Sequence, residues 1–275
     1  MTKTITFDRF TPDHLDGALR LSRGAGWPHR RDDWHFVLRL SRGVVALVDG
    51  EVVGTALGTS FGPVALANMI IVDARMRGRG LGRELMARMM AEADPQEWRL
   101  VATAEGGPLY EKLGFTPTGH ILQHQGIVAP VAMPEGVDWA SGADLPAIAE
   151  IDRQATGADR LELIALLATA GRLAVTRDGG AVSGYAALRP FGRGEVAGPV
   201  IARSSQDAER LLSFLFAQRT GVFMRVDTTE AMGLASWLAA QGLVHVGGGV
   251  AMRRADAAAP VSSFHSFALA AQALG

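Results

Sequence analysis

The segment Arg75-Met-Arg-Gly-Arg-Gly-Leu-Gly82 decides how this chain is interpreted. It follows an apolar run, residues 69–72, that predicts a buried strand, and it precedes residues 83–92, whose apolar positions recur at helical spacing. Glycines let a backbone approach a ligand closely, and the first N–H groups of a helix are free to bind an anion. The segment therefore predicts a pyrophosphate-binding loop, to which four arginines add positive charge: Arg75, Arg77, Arg79 and Arg83.

Two other phosphate-binding loops fit this segment less well. A P-loop requires a lysine directly after its last glycine, and no lysine follows these glycines. A dinucleotide-binding loop requires G-x-G-x-x-G, and Arg83 occupies the place of its third glycine. The pattern R/Q-x-x-G-x-G/A, by contrast, is matched by Arg75, Gly78 and Gly80.

A second motif, Leu109-Tyr-Glu-Lys-Leu-Gly-Phe115, follows a predicted strand at residues 100–103 and a short turn. The two motifs in this order resemble those of GNAT N-acyltransferases, in which the first is the coenzyme A loop. The resemblance covers roughly residues 1–125. The asparagine that this family usually carries early in the turn is absent, and residues 103–105 stand in its place.

The resemblance implies an α/β fold in which helices flank a mixed, mostly antiparallel sheet and two strands diverge beside the loop. It also implies acetyl-CoA as the co-substrate. The backbone of Ile71, Val72 and Asp73 is then expected to pair with the pantetheine arm. The amides of the loop are expected to bind the pyrophosphate, and they belong to Arg77, Gly78, Arg79, Gly80, Leu81, Gly82 and Arg83.

Tyr110 occupies the family position whose phenol faces the thioester sulfur, so the resemblance implies that it is the general acid. An ordinary buried tyrosine is the alternative. The general base is open, because residues 64–72 contain no acid and no histidine. Asn68 is a candidate that would orient a water, and Glu105 is a candidate carboxylate. The histidines that remain as candidates are His29, His35, His120 and His124.

Residues 26–35 lie between the first two predicted helices, a segment that borders the acceptor in GNAT proteins. Trp27, His29, Asp33 and Trp34 are the predicted acceptor-binding residues, because aromatic faces and a carboxylate suit an amine. Packing of two helices by the tryptophans is the alternative. A second glycine- and arginine-rich turn, residues 189–195, is predicted to be a hairpin that reaches the acceptor cleft.

The chain contains the same unit twice. Residues 109–119 align with residues 237–247 at an offset of 128, and the same offset places Val72 on Val200 and Arg75 on Arg203. We therefore predict two tandem GNAT-like domains, residues 1–129 and 137–255, with a proline-containing linker between them.

The second domain is predicted to have lost the coenzyme A loop. Gln206, Ala208 and Arg210 stand where the first domain has glycines, and Leu238 replaces Tyr110. Side chains there block backbone approach, and two carboxylates between them repel an anion. Residues 256–275 are predicted to dock on the body, because they are too apolar for a free tail.

Composition excludes several classes of function. The net charge of −1 gives no reason to expect a nucleic-acid or anionic-membrane partner. The absence of cysteine excludes disulfides, thiolate metal sites and cysteine nucleophiles, and no histidine pair has a supporting third metal ligand. No apolar signal core and no membrane-spanning stretch is evident, so a cytoplasmic location is expected. Monomer and homodimer both remain open.

The sequence thus predicts an N-acetyltransferase that moves an acetyl group from acetyl-CoA to a primary amine of a small or amino-acid-like molecule. A non-catalytic acyl-CoA-binding sensor or scaffold is the alternative from another class. A longer acyl-CoA or an aminoacyl donor is a third possibility.

Overall fold

The computed structural model of the chain describes residues 4–255 and 262–275. Two halves repeat one order of elements. The first half contains β1 (Ile5–Arg9), α1 (Leu15–Gly24), α2 (Arg31–Leu38), β2 (Ser41–Val48), β3 (Glu51–Phe61), β4 (Val64–Val72), α3 (Leu81–Met90), β5 (Glu97–Ala102), α4 (Gly107–Lys112) and β6 (Thr116–Ile127). The second contains β7 (Val137–Trp139), α5 (Leu145–Thr156), α6 (Leu161–Ala170), β8 (Arg172–Asp178), β9 (Ala181–Phe191), β10 (Gly194–Ala202), α7 (Ser205–Ala217), β11 (Phe223–Thr229), α8 (Ala235–Ala240) and β12 (Val244–Ala255), followed by β13 (His265–Ala268).

The described strands form one mixed sheet in the order β1-β2-β3-β4-β5-β12-β6-β11-β13-β10-β9-β8-β7. The last strand of each repeat lies in the other half: β12 pairs with β5, β6 pairs with β11, and the two exchanged strands pair with each other. The mixed α/β fold was predicted, but this exchange was not. The predicted domains, residues 1–129 and 137–255, therefore share one sheet, because each places its last strand beside strands of the other.

The parallel strands β4 and β5 diverge after a short contact. They pair at three positions, from Val64 to Leu66, and then separate. The equivalent strands β10 and β11 pair at two positions before they separate. In the second half, β13 enters the gap antiparallel to both neighbours, with Ala268 opposite Val200 and Thr228. The chain thus fills the gap between β10 and β11 with its own strand, whereas no described strand enters the equivalent gap between β4 and β5.

A β-bulge lies in β4 beside this gap. Thr55 pairs with Ile71 and Leu57 pairs with Asn68, so two residues of β4 oppose one residue of β3. Met69, inside the bulge, has a φ angle of 49°, which is unusual for a residue with a side chain. The Thr55 hydroxyl donates to the Met69 carbonyl over 2.7 Å and supports this conformation. The bulge changes which backbone groups of β4 face the gap.

Helices cover both faces of the sheet, and the two halves share a hydrophobic core. Trp34 of α2 belongs to the same buried cluster as Ile148 of α5 and Leu163 of α6. Phe264 and Leu274 belong to this cluster too, so residues 262–275 are packed on the body; residues 256–261 lie outside the described residues. Among the described helices, none has the length and apolarity required to cross a membrane.

A buried ion pair stabilises the second half. Asp152 and Arg160 are almost fully buried and form two hydrogen bonds, from Nε over 2.8 Å and from Nη2 over 2.6 Å. The Tyr185 hydroxyl donates to the same carboxylate. Because a buried carboxylate loses its hydration, each donor compensates part of that cost.

Replacing Tyr185 with phenylalanine is expected to lower the free energy of unfolding by about 1–3 kcal/mol, since the substitution removes a buried donor from a charged acceptor. Urea unfolding followed by circular dichroism measures this change. The chain offers a matched control in Tyr110, whose hydroxyl makes no hydrogen bond in the described part of the chain. Tyr110→Phe should change stability by less than about 0.5 kcal/mol. Equal losses in the two variants would contradict the assigned role of Tyr185.

Candidate active site

The predicted pyrophosphate loop links β4 to α3 and turns at two glycines. Gly78 and Gly80 have φ angles of 74° and 76°, a region that strains residues with a side chain. A Cβ atom added to either glycine would meet no heavy atom within 4 Å. The loop therefore has open space beside its backbone. The helix predicted at residues 83–92 begins at Leu81, so its N-terminus opens on the same space.

The backbone donors of this loop are free. From Gly78 to Arg83, no N–H group donates a hydrogen bond within residues 4–255 and 262–275, and the next one, that of Glu84, donates to the Gly80 carbonyl over 3.1 Å. Consecutive free donors at the start of a ten-residue helix fit a pyrophosphate. The exposed side chains of Arg79 and Arg83 add positive charge. These residues therefore fit the coenzyme A group that the sequence implies.

Arg75, the first residue of the loop motif, has a structural partner in Asp73. Its backbone N–H and Nε donate to Asp73 Oδ1 over 2.9 and 3.0 Å, and Nη2 donates to Oδ2 over 2.7 Å. These hydrogen bonds, with another from Arg20, hold the pKa of the Asp73 carboxyl well below its usual range. The Asp73 side chain thus fixes the start of the loop.

The edge of β4 supplies backbone groups to the gap. The Asp73 N–H donates to the Val53 carbonyl over 2.9 Å, so the backbone of Asp73 faces β3. Polar backbone groups alternate in direction along a strand. Ile71, which pairs with Thr55, therefore also faces β3, whereas the backbone groups of Val72 face the gap beside β5. Of the three residues predicted to pair with pantetheine, Val72 has the suitable direction.

A cavity of about 290 Å³ lies where β4 and β5 diverge. Both halves line it. The first half contributes Gly26, Trp27, Pro28, His29, Ala67, Asn68, Met69, Ile70, Val101, Thr103 and Tyr110, and the remaining lining residues are Gln123 of β6 with Phe191, Arg225, Gly248, Ala271, Gln272 and Ala273.

Tyr110, the predicted general acid, lines this cavity. Its side chain is 7% exposed, and burial raises the pKa of the phenol to about 12. The phenol therefore remains protonated at neutral pH. Gly106 explains its position, because a Cβ atom on Gly106 would lie 2.9 Å from the tyrosine ring. Sequence analysis did not identify this glycine.

The two predicted base candidates are separated in the structure. Asn68 is buried in β4 and lines the cavity; its Nδ2 donates to the Thr59 hydroxyl over 2.8 Å, and its Oδ1 has no partner in the described chain. Glu105 does not line the cavity, and its 77% exposed side chain forms an ion pair with Arg77 over 3.1 Å. His35, His120 and His124 also lie outside the lining residues. Asn68 and His29 are therefore the candidates that line the cavity.

Of the four predicted acceptor-binding residues, two line the cavity and two do not. Trp27 and His29 line the cavity. Trp34 is fully buried, stacks on Phe10 with ring centroids 5.9 Å apart, and donates from Nε1 to the Ser22 hydroxyl over 2.8 Å. Trp34 therefore packs α2 against α1, which was the alternative interpretation of the tryptophans, and it does not line the cavity.

Asp33 connects the two halves and does not line the cavity. Its carboxylate accepts hydrogen bonds from Arg30 and, over 3.0 Å, from the N–H of Gly192 in the β9–β10 hairpin. Burial alone would raise the pKa of Asp33, but these hydrogen bonds outweigh it and hold the pKa below its usual range. The bond to Gly192 brings the hairpin at residues 189–195 to the cleft, where Phe191 lines the cavity.

His29 is held among aromatic rings. Its ring centroid lies 5.6 Å from that of Trp27 and 5.5 Å from that of Phe191. Burial, with smaller contributions from Arg225 and Arg189, lowers the pKa of the imidazole to about 4, although the Asp33 carboxylate acts in the opposite direction. Its Nδ1 is buried without a described partner. His29 is therefore neutral at physiological pH.

This depressed pKa predicts acid sensitivity. The unfolded chain binds a proton at His29 near pH 6.5, whereas the folded chain resists it until about pH 4, so stability falls as pH falls between these values. From pH 7.5 to pH 5, the free energy of unfolding is expected to fall by about 1–2 kcal/mol more in the wild type than in a His29→Asn variant. Urea midpoints at the two pH values test this, with the exposed His265→Asn as the control. An equal pH dependence in the wild type and His29→Asn would contradict it.

The second half supplies residues that sequence analysis missed. Arg225 of β11 lines the cavity and is bound by Asp227 two residues further along the strand, from Nε over 2.9 Å and from Nη2 over 3.0 Å. Gln272 donates to the same carboxylate over 3.0 Å. An Arg-x-Asp pair within an apolar strand was the available signal for a buried ion pair.

Comparison with protein families identifies this architecture. Two models described as "Acetyltransferase (GNAT) domain" match residues 39–117 and residues 148–267. The chain therefore belongs to the GNAT superfamily of N-acetyltransferases, with two GNAT domains in tandem. Acetyltransferases of this family use acetyl-CoA.

Individual proteins resemble the chain along nearly all of its length. The uncharacterized N-acetyltransferase YitH of Bacillus subtilis (strain 168) is 29% identical in a 273-residue alignment that covers 96% of this chain and 96% of YitH. A crystal structure of a protein described as an acetyltransferase from Pyrococcus horikoshii matches with a TM-score of 0.85 at 20% identity, covering 98% of this chain and 96% of that one. A tandem GNAT protein from the clavulanic acid biosynthesis pathway matches with a TM-score of 0.63 at 14% identity, covering 93% and 100%. These structural matches describe the fold.

The described residues contain no group of three or more His, Asp or Glu side chains placed to hold a metal ion.

Proposed function

We propose that this protein transfers the acetyl group of acetyl-CoA to a primary amine of a small, amino-acid-like molecule, at one site in its first half. The observation that carries the proposal is the convergence on one cavity of the β4 edge, Tyr110 and the loop that bears Trp27 and His29. These are the three parts that acetyl transfer requires: a holder for the thioester, a proton donor for the leaving sulfur, and a wall for the amine.

The free amides of residues 78–83 would bind the pyrophosphate, and the backbone of Val72 would pair with the pantetheine arm. Bound acetyl-CoA supplies a thioester, whose carbonyl carbon accepts the amine nitrogen. The loop and the strand edge would hold this carbonyl beside the cavity. The bound amine could then attack it without a further loss of translational and rotational entropy.

Tyr110 would give its proton to the departing sulfur. Its pKa of about 12 keeps the phenol protonated, and its hydroxyl makes no other hydrogen bond in the described chain. Phe115 supports the ring, with centroids 6.2 Å apart. The position of the donor is thus set by packing.

His29 would receive the proton of the amine nitrogen as the C–N bond forms and makes that proton more acidic, since an imidazole with a pKa of about 4 is too weak a base for a free ammonium. Among the side chains that line the cavity, His29 has a neutral imidazole, whereas the raised pKa of Tyr110 keeps its phenol protonated. Asn68 would orient the amine or a water beside it through its unpartnered Oδ1. This assignment replaces Glu105, which lies outside the cavity.

Thiol release from acetyl-CoA, measured with and without a panel of amines, tests the proposal. An enzyme releases coenzyme A in proportion to acetylated amine, which mass spectrometry identifies; a sensor or scaffold binds acetyl-CoA without amine-dependent release. Competition by longer acyl-CoA esters tests the donor. Binding without release for every amine would refute acetyl transfer and favour the sensor.

A further inference from the structure

Two arginines of the second half lie at the cavity wall: Arg225 lines the cavity, and Arg189 packs against Phe191, which also lines it. Arg189 and Arg225 lie in register across β9, β10 and β11, because Arg189 pairs with Val196 and Val196 pairs with Arg225. Residues directly opposite one another share a face of the sheet. Both guanidinium groups lie against the ring of Phe191, at 5.1 and 5.2 Å from its centroid. The two cations therefore flank one residue of the cavity wall.

Arg189 has no acidic partner. It is 2% exposed, and its hydrogen bonds in the described chain go to the carbonyl oxygens of Pro190 and Ala270, both over 3.3 Å. Its Nε is buried without a partner. A buried cation without a carboxylate is costly, and burial lowers the pKa of this guanidinium to about 10.

Asp227 balances one of the two arginines. It is fully buried and binds Arg225 through Nε and Nη2, while Arg225 Nη1 makes no hydrogen bond in the described part of the chain. The nearby Asp33 is already engaged by Arg30 and Gly192. An anion at Arg225 Nη1 would offset the remaining positive charge, and Coulomb attraction is strong where water is excluded.

The first-half wall of the cavity suits an amine. Tyr110 and Asn68 of β4 line it, whereas the His29 ring lies 5.5 Å from Phe191, on the Arg225 side. A cavity of about 290 Å³ accommodates a molecule the size of an amino acid. One small molecule would then place its amine at the first-half wall and its anion at the second-half wall.

We propose that the acetyl acceptor is an amine that also carries a carboxylate, and that Arg225 of the second half binds this carboxylate. This inference rests on the proposed acetyl transfer. It assigns the second half a role in specificity: the exchanged sheet brings Arg225 to the acceptor site of the first half. The planar fork of an arginine suits a carboxylate.

Matched acceptor pairs test this assignment. The kcat/KM for L-amino acids is compared with that for their amides, and the kcat/KM for ω-amino acids with that for the amines that lack the carboxyl group. The wild type should prefer the acid of the best pair by about tenfold or more. Arg225→Gln should abolish this preference through KM, with acetyl-CoA binding unchanged. Arg219→Gln, which breaks the ion pair of Arg219 with Glu195 in the same half, should keep it.

A second variant guards against misfolding. Arg225→Gln leaves Asp227 buried without its partner, so the double variant Arg225→Gln/Asp227→Asn, which removes both charges, should also lose the preference while remaining folded. Equal or better use of amides and amines by the wild type would overturn the inference. A preference that survives in both variants, or a stronger preference for O-phosphoethanolamine, would overturn it as well.

Failure of the inference and failure of acetyl transfer are separable. If no amine releases thiol, calorimetry of the same pairs on coenzyme A-saturated protein still decides the inference. Tighter binding of the acids that is lost in Arg225→Gln would support it, and absent or equal binding would overturn it. Absence of thiol release alone would refute acetyl transfer.

Discussion

Replacing Gly80 with glutamate is expected to abolish acetyl-CoA binding, with a loss of affinity of about 1000-fold or more. Gly80 has a φ angle of 76°, so any side chain strains the turn by about 1–2 kcal/mol. The new carboxylate would project into the open space beside free amide donors and repel the pyrophosphate. Isothermal titration calorimetry with acetyl-CoA measures the change.

The matched control for this variant is Gly221→Glu. Gly221 also has a left-handed φ angle, 81°, and open space around its missing Cβ, but it lies in the turn between α7 and β11. This control imposes a similar backbone cost without a carboxylate in the loop, so its affinity should equal that of the wild type. Binding that survives in Gly80→Glu would mean that the loop has been misidentified.

The same titration should give one site per chain. The second half differs from the first at its helix start, where the Ser204 hydroxyl accepts the Asp207 N–H over 3.1 Å and so occupies a donor that would face a phosphate. Strand β13 also fills the gap between β10 and β11. Two sites in the wild type would contradict this account of the second half.

Features that are contiguous in the chain could be predicted from the sequence. The strand, loop and helix around Gly80 can be recognised locally, because apolar periodicity marks the strand and the helix and the glycines mark the turn between them. Tyr110 was placed by a second local motif. The repeat was also visible, because both copies keep the same order of elements at nearly constant spacing.

The strand exchange left no such pattern. The residues of β6 and β12 alternate in the same way whichever half they pair with, so the partner of each strand is set by the whole sheet. The exchange places β6, which carries Gln123, between β12 and β11, and it brings β12 next to β5. For the same reason, the sequence spacing could not show that Arg225 and Tyr110 line one cavity.

At residues 26–35, the residue types alone did not show which side chains line the cavity and which are packed inside the protein. Trp27 and Trp34 were equivalent in the sequence, but α2 begins at Arg31 and turns Trp34 toward the core. Asp33 occupies the first turn of the same helix and caps it through the Arg30 N–H over 2.8 Å. The Asp33 carboxylate, which was predicted to bind the amine of the acceptor, therefore caps α2.

Replacing Tyr110 with phenylalanine is expected to lower kcat by about 100-fold and to leave acetyl-CoA affinity within about twofold of the wild type. Phenylalanine keeps the ring contact with Phe115 and the close approach of Gly106, so the cavity shape persists. The substitution removes the proton donor for the leaving sulfur and nothing that binds the nucleotide. Steady-state kinetics with a saturating amine, combined with calorimetry, separates the two effects.

Tyr185→Phe is the control that distinguishes proton donation from general loss of a tyrosine hydroxyl. Tyr185→Phe is expected to lower the free energy of unfolding. Its kcat per folded molecule should match that of the wild type, because Tyr185 lies outside the cavity. The pH profile provides an independent test: since the pKa of Tyr110 is raised to about 12, the wild-type rate should show no descending limb from this phenol up to pH 10. A kcat within threefold of the wild type in Tyr110→Phe would show that another group, or water, protonates the sulfur.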